Sequence, residues 1–276
     1  MRLEAICDCC SDDEDVLFEI EIDHSVFPDG QRHLKLVFPE GESFEGCWVR
    51  AYATVRSADD LFDLALLDDI LTHNNIQHEL RVEYLLGARM DRRIDDLQPR
   101  TSAVVGWILG SQLWDNVEVL DIHSKEAMEH IALESISPVK NTLPQEWIDL
   151  ILYSYIPEET VIIIPDKGAI PRVIALTENH SEYLIVQCLK HRDSKTGKLS
   201  GFECTEPEKV IGKVCLILDD ICDGGGTFIG LAEVLKEAGA TEVDLAVTYG
   251  LFSRGKAHLY EGGLREVHAY KDMRYA

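Results

Sequence analysis

Five apolar residues, Val214 to Leu218, run directly into two adjacent carboxylates, Asp219 and Asp220. Asp223, Gly224, Gly225, Gly226 and Thr227 follow. The apolar run predicts a buried strand. Phe228 to Ala238 has helical spacing and stops at Gly239. Strand, acid pair, glycine loop and helix in this order make a cradle for a sugar phosphate. Glycines let backbone N–H groups turn toward a phosphate at the positive end of a helix. The carboxylates accept hydrogen bonds from vicinal sugar hydroxyls. A glycine loop alone would be only a tight turn beside solvated acids, and the Asp-Asp pair before it strengthens the reading. Cys222, inside this run, reads as a small side chain.

Other groups could act on the same chemistry. Leu80 to Arg93 reads as a strand followed by Arg89, Asp91, Arg92 and Arg93. Guanidinium forks suit polyphosphate, and their hydrogen bonds to it are charge-assisted. A salt-bridged surface turn beside Asp95 and Asp96 is the equal alternative. Asp121-Ile122-His123-Ser124 offers one imidazole at a strand end, where a lone histidine is more often structural. Asp166 stands in a similar place, and the plain alternative for it is a helix cap. A histidine and an aspartate flanking a triphosphate would suit Mg2+, which takes few protein ligands besides phosphate oxygens. Lys190, Arg192, Lys195 and Lys198 form a basic island in an acidic chain. Such a flap can close over a transferring phosphoryl group and stabilise its charge. The alternative is an exposed hairpin whose lysines aid solubility.

The elements that must position these groups alternate. Residues 16–22 and 33–38 alternate as strands around the turn Phe27-Pro28-Asp29-Gly30. Further strands are expected at 47–54, 80–86, 117–122, 161–164, 183–189 and 214–218, with the last at 243–248. Helices are expected at 59–71, 102–113, 146–155 and 228–238, and a polar loop at 191–205. Helices between apolar strands imply an α/β fold with mainly parallel sheets in right-handed units. Ligands in such folds sit beyond strand C-termini, where Arg89, Asp91, His123, Asp166, Lys190 and Asp219 are expected. A boundary near residue 145 gives domains at 1–145 and 146–276.

With 276 residues, 46% of them hydrophobic, the chain can bury a large core. The formal charge of −24 argues against nucleic acid and against anionic membrane surfaces. No apolar run is long enough to span a bilayer, and the N-terminus lacks a signal-peptide layout, so a cytoplasmic protein is expected. The eight cysteines show no regular framework and are expected as thiols. Cys7, Cys9 and Cys10 could bind a soft metal, but no Cys-X-X-Cys accompanies them.

Taken together, these segments resemble the ribose-phosphate pyrophosphokinases, collinearly from about Phe27 to Phe252. Phe27, Asp29 and Gln31 resemble the family's adenine-contacting loop, and Arg89 to Arg93 its ATP-phosphate segment. His123 and Asp166 match its Mg·ATP residues, Lys190 and Arg192 its catalytic flexible loop, and Asp219 to Thr227 its ribose 5-phosphate loop. The resemblance implies two phosphoribosyltransferase-like domains, an ATP side at 1–145 and a ribose-phosphate side at 146–276. It implies assembly into a homodimer or larger homo-oligomer. The implied reaction moves the β,γ-diphosphate of ATP, with Mg2+, to an anomeric hydroxyl. The family's loop usually reads Asp-Thr-X-Gly-Thr, whereas Gly224 stands here in place of a threonine. That change opens the acceptor to a larger 5-substituted ribose such as ADP-ribose. A non-catalytic regulatory protein and a phosphoribosyltransferase are the alternatives. The cationic flap speaks against the first, and the Arg89 and His123 segments speak against the second.

Overall fold

The computed structural model describes residues 1–7, 16–135, 138–192 and 199–275, with the backbone alone at 134, 191, 192, 199 and 200. The chain divides into two compact units, Met1–Thr142 and Leu143–Ala276.

The first unit opens with β1 (Arg2–Cys7), β2 (Val16–Val26), β3 (Arg32–Val37) and β4 (Cys47–Val55). Helix α1 (Ala58–His73) follows, then β5 (His78–Leu85), α2 (Thr101–Gly110), β6 (Asn116–Leu120), α3 (Lys125–Glu134) and β7 (Val139–Thr142). Its seven-stranded sheet has the order β3-β2-β1-β4-β5-β6-β7. Strands β4 to β7 pair in parallel, while β1, β2 and β3 form an antiparallel extension. Helix α1 starts at a reciprocal cap between Ser57 and Asp60. Its Leu61, Leu64, Leu67 and Leu71 recur on one face and are buried. Burial of each stabilises the unit by about 2 kcal/mol. Gly106 of α2 meets the α3 backbone, and a Cβ there would stand 2.5 Å from the His130 carbonyl oxygen. Only glycine lets these two helices approach so closely.

The second unit runs α4 (Gln145–Leu152), β8 (Thr160–Ile164), α5 (Ile170–Leu176), β9 (Leu184–Arg192), β10 (Leu199–Cys204), β11 (Val214–Cys222), α6 (Gly226–Glu237), β12 (Glu242–Gly250), α7 (Lys256–Glu261) and β13 (Val267–Asp272). The sheet order is β10-β9-β8-β11-β12-β13, parallel throughout except for the β9–β10 hairpin. Its core lies on both faces of β11, whose Cys215, Leu216, Ile217 and Leu218 are completely buried.

Three expectations change here. The segment 191–205, read as a loop, contains β10. Strand β12 is not the last, because α7 and β13 follow it. The acid pair does not follow its strand but lies within it, since β11 continues to Cys222 alongside β12. Cys188, Cys204, Cys215 and Cys222 are free thiols. Cys9 and Cys10 lie outside the described residues, as do Lys195 and Lys198. Among the described residues no helix is long and apolar enough to cross a membrane.

Candidate active site

The acid pair owes its exposure to unequal strand lengths. Pairing of β11 with β8 stops at Ile217, opposite Ile163, whereas pairing with β12 runs on to Cys222. Asp219 and Asp220 therefore lie beyond the last β8 pair. The Asp219 side chain is 17% exposed and that of Asp220 5%, so Asp219 is the more accessible of the two. Asp219 Oδ1 accepts the Asp220 N–H at 2.9 Å. Arg172, buried on α5, faces both acids: Nη1 is 3.7 Å from Asp219 Oδ1 and Nη2 is 3.7 Å from Asp220 Oδ2. Burial, and then the charge of Asp220, hold the Asp219 carboxyl well above the ordinary carboxylate range, with Arg172 opposing. A cation between two crowded acids keeps them usable as hydroxyl acceptors.

The glycine loop turns on Gly225, whose φ of +79° lies in the left-handed region. A Cβ there would also collide with Leu259 Cδ2. Gly225 caps the N-terminus of α6, and no side chain caps the helix. Gly226 and Thr227 thus lie in its first turn rather than before it. The backbone N–H groups of this turn are donors for an anion. Asp223 is half-buried beside them. Gly224 differs from Gly225: its φ is ordinary and a Cβ would meet nothing closer than Arg254 Cδ at 3.6 Å. Burial pushes the Cys222 thiol up to about 12, which makes it a packing group and not a reactive one.

Lys190 lies within β9, not after it, and its Nζ donates to Thr227 Oγ1 at 2.9 Å. The β9–β10 hairpin is seated on α6 by Phe202, whose ring fills the space a side chain at Gly230 would need. Asp166 accepts the Gly168 and Ala169 N–H groups at 2.8 and 3.3 Å and so caps the short 3-10 turn Lys167–Ala169.

In the first unit, Asp91 is buried and accepts from Ser124 Oγ at 2.6 Å and from Arg92 Nε at 3.4 Å. Burial pushes its carboxyl up. The Ser124 hydrogen bond, Arg92 and the nearby His123 outweigh that effect, so the net shift is downward. Asp91 thereby ties the exposed Arg89 segment to the start of α3, beside the half-buried His123. Ser102 reinforces the tie by donating its N–H to the Met90 carbonyl at 3.2 Å. His123 follows a sharp turn at Asp121, a buried non-glycine residue with φ +36°. Holding that conformation costs on the order of 1 kcal/mol. Phe27, Asp29 and Gln31 shape the β2–β3 hairpin tip. Gly30 donates to the Phe27 carbonyl at 2.8 Å, and Asp29 accepts the Gln31 N–H at 3.1 Å. Strands β1 and β4 stand between that hairpin and β5, so this unit does not gather the two groups on one edge.

A family model described as the phosphoribosyl transferase domain matches residues 150–262. The ribose-phosphate pyrophosphokinase of Pyrococcus abyssi is 28% identical over 256 residues, covering 90% of this chain and 82% of that protein. The enzyme of the same name from Pyrococcus furiosus is 29% identical over 232 residues, 83% of this chain and 77% of the relative. The crystal structure of phosphoribosylpyrophosphate synthetase from Mycobacterium smegmatis superposes with a TM-score of 0.72 at 22% identity. It covers 91% of this chain and 80% of that one, and it shows the shared fold. The chain is thus similar over most of its length to the ribose-phosphate pyrophosphokinases.

Its similarity to these transferases marks the chain as an enzyme, and its α/β fold is the one shared with the solved synthetase. Sequence reasoning missed Arg172 and Gly230, residues that hold the candidate pyrophosphokinase site together. An isolated arginine on a short helix carries no motif, although its place seven residues after Pro165 repeats the strand-end logic applied to Asp166. For Arg192, only the backbone is described.

Proposed function

We propose that this chain transfers the β,γ-diphosphate of ATP to the anomeric hydroxyl of a 5-phosphorylated ribose and releases AMP. The observation that supports this best is the Lys190 Nζ to Thr227 Oγ1 contact of 2.9 Å. It sets a cation against the first turn of the helix whose loop is read as the phosphate cradle. A module that only bound sugar phosphate would need the loop and the acid pair but no such lysine. In this reading the second unit binds the ribose and the first binds ATP.

Asp219 and Asp220 hold the ribose 2- and 3-hydroxyls and so aim the anomeric oxygen. That oxygen attacks the β-phosphorus, and the bond from the β-phosphorus to the α–β bridging oxygen breaks. The electron pair leaves with AMP, and the hydroxyl proton passes to solvent. Lys190, with Arg192, stabilises the charge on the transferring group. Arg89 and Asp91 belong to the segment that positions the triphosphate, and Phe27, Asp29 and Gln31 to the adenine loop. Asp29 Oδ1 and both loop carbonyls keep that hairpin tip rigid. Its distance along the sheet from Arg89 is consistent with a homo-oligomer.

The donor set fits Mg2+. Mg2+ takes few protein ligands when triphosphate oxygens supply the rest. His123 of the first unit and Asp166 of the second are each proposed as Mg2+ ligands, and the ion would neutralise phosphate charge.

For the acceptor we propose that ADP-ribose serves at least as well as ribose 5-phosphate. The loop at Gly224 offers only backbone donors and has room for a chain beyond the 5-phosphate. The test incubates the full chain with Mg·ATP and each acceptor and measures AMP by chromatography. AMP above the acceptor-free control is expected with both. None with either acceptor would overturn the diphosphokinase reading, and none with ADP-ribose would leave ribose 5-phosphate as the acceptor.

A further inference from the structure

The chain has 26 basic residues against 50 acidic ones, yet Arg254 has no carboxylate partner among the described residues. It is exposed in the turn after β12, and it makes no hydrogen bond, ion pair or ring contact with any other described residue. Nearby cations are engaged: Lys256 Nζ stands 3.6 Å from Asp272 Oδ2, and Arg274 binds the same carboxylate through Nη2 at 2.6 Å.

The turn that carries Arg254 is fixed to the phosphate loop. Leu251 and Phe252 donate their N–H groups to the Cys222 carbonyl at 2.8 and 3.1 Å. Gly255 closes the turn by donating to the Phe252 carbonyl at 2.8 Å. Phe252 is buried with φ +46°, a left-handed conformation that its packed ring holds in place. As a result the Arg254 stem lies beside Gly224, a loop position where a side chain would meet no steric clash. A Cβ at Gly224 would have Arg254 Cδ 3.6 Å away and Ser253 Oγ 3.9 Å away.

We propose that Arg254 determines acceptor specificity by binding a second phosphate on the ribose 5-position. The inference rests on reading residues 219–227 as the ribose-phosphate site. The first phosphate takes the backbone donors of the loop. A second phosphate, joined through one bridging oxygen, extends past Gly224 toward the guanidinium. A planar fork with several donors matches a phosphate better than an ammonium does. The acceptor class is thus a ribose carrying a 5-diphosphate, with or without a nucleoside beyond it.

The test is calorimetric binding, without ATP, of ribose 5-phosphate, ribose 5-diphosphate and ADP-ribose to the wild-type chain, Arg254→Ala and Arg254→Lys. Loss of one charge-assisted contact predicts that Arg254→Ala shifts the affinity ratio toward ribose 5-phosphate by about 10- to 100-fold. The shift should be the same for both diphosphate ligands, and Arg254→Lys should recover part of it. An unchanged ratio overturns the proposal, as does a shift for ADP-ribose alone, which would place the arginine against the nucleoside. Failure of the wild type to bind either diphosphate ligand also overturns it. AMP release by the wild type decides the diphosphokinase reading separately, so binding without turnover would remove that reading and keep this one.

Discussion

Replacing Arg172 with methionine keeps the bulk of the stem and removes a charge that faces both Asp219 and Asp220. The two carboxylates, 17% and 5% exposed, would then face each other without it. Removing one partner of a buried ion pair costs about 3–5 kcal/mol. The 3.7 Å separations and the partial exposure of Asp219 place this case near the lower end, about 3 kcal/mol. For a unit the size of Leu143–Ala276, that lowers the melting temperature by about 10 °C. Acidity gives an independent check. Burial and Asp220 already hold the Asp219 carboxyl above its ordinary range, and Arg172 pulls it back. Without the arginine it rises further. A carboxyl whose pKa is higher folded than unfolded destabilises the fold when ionised, and the penalty fades as pH falls through the folded value. The deficit of Arg172→Met should therefore be largest at the alkaline end and shrink as pH falls toward the ordinary carboxylate range. The double variant with Asp219→Asn should melt close to wild type at the higher pH. The assay is a series of circular-dichroism melts across this range. A deficit under about 3 °C, or one that does not shrink in acid, would refute the reasoning.

Lys190→Ala should lower turnover by roughly two orders of magnitude or more while the KM for Mg·ATP moves less, as steady-state kinetics would show. Turnover within a few-fold of wild type would rule the lysine out as the catalytic cation. Activity should vanish in excess chelator, and His123→Ala should raise the Mg·ATP requirement about tenfold with the melting temperature preserved. Full activity in chelator would remove the metal role. Gly224→Thr should fold normally and move the kcat/KM ratio about tenfold toward ribose 5-phosphate. Gly225→Ala, two atoms of backbone away in effect, should instead destabilise the chain by about 2 kcal/mol or more, because its φ and Leu259 both oppose a side chain. Equal melting of the two glycine variants would contradict the loop geometry.

The parallel strands were legible because runs such as Val161 to Ile164 and Val214 to Leu218 are continuous and β-branched or leucine-rich, which suits strands buried on both faces. The acid pair and glycine loop were legible because they are contiguous. What stayed hidden depends on contacts between distant residues. The sequence ends its apolar run at Leu218, yet ladder bonds to β12 carry β11 through both aspartates. Strand β10 was obscured by Ser200 and Gly201 beside a basic cluster, and only its pairing with β9 reveals it. Strand β13 alternates His268, Tyr270 and Asp272 at an edge, where polar side chains mask periodicity. Arg172 gains meaning only when α5 packs on β11.

The phosphate loop and its helix place unequal constraints on adjacent positions. Leu259 fixes Gly225 and Phe202 fixes Gly230, so the turn and the seat of the hairpin that carries Lys190 cannot drift without loss of packing. Gly224 stands between the acids and that turn, where a Cβ would meet only the Arg254 stem and Ser253 Oγ at ordinary contact distance. Side chains at position 224 and its neighbour at 254 can therefore change at little cost to packing, while Lys190 stays where the hairpin holds it. Under the proposed function, the positions that choose the acceptor are thus separate from those that hold the hairpin of Lys190, so one can vary while the other stays fixed.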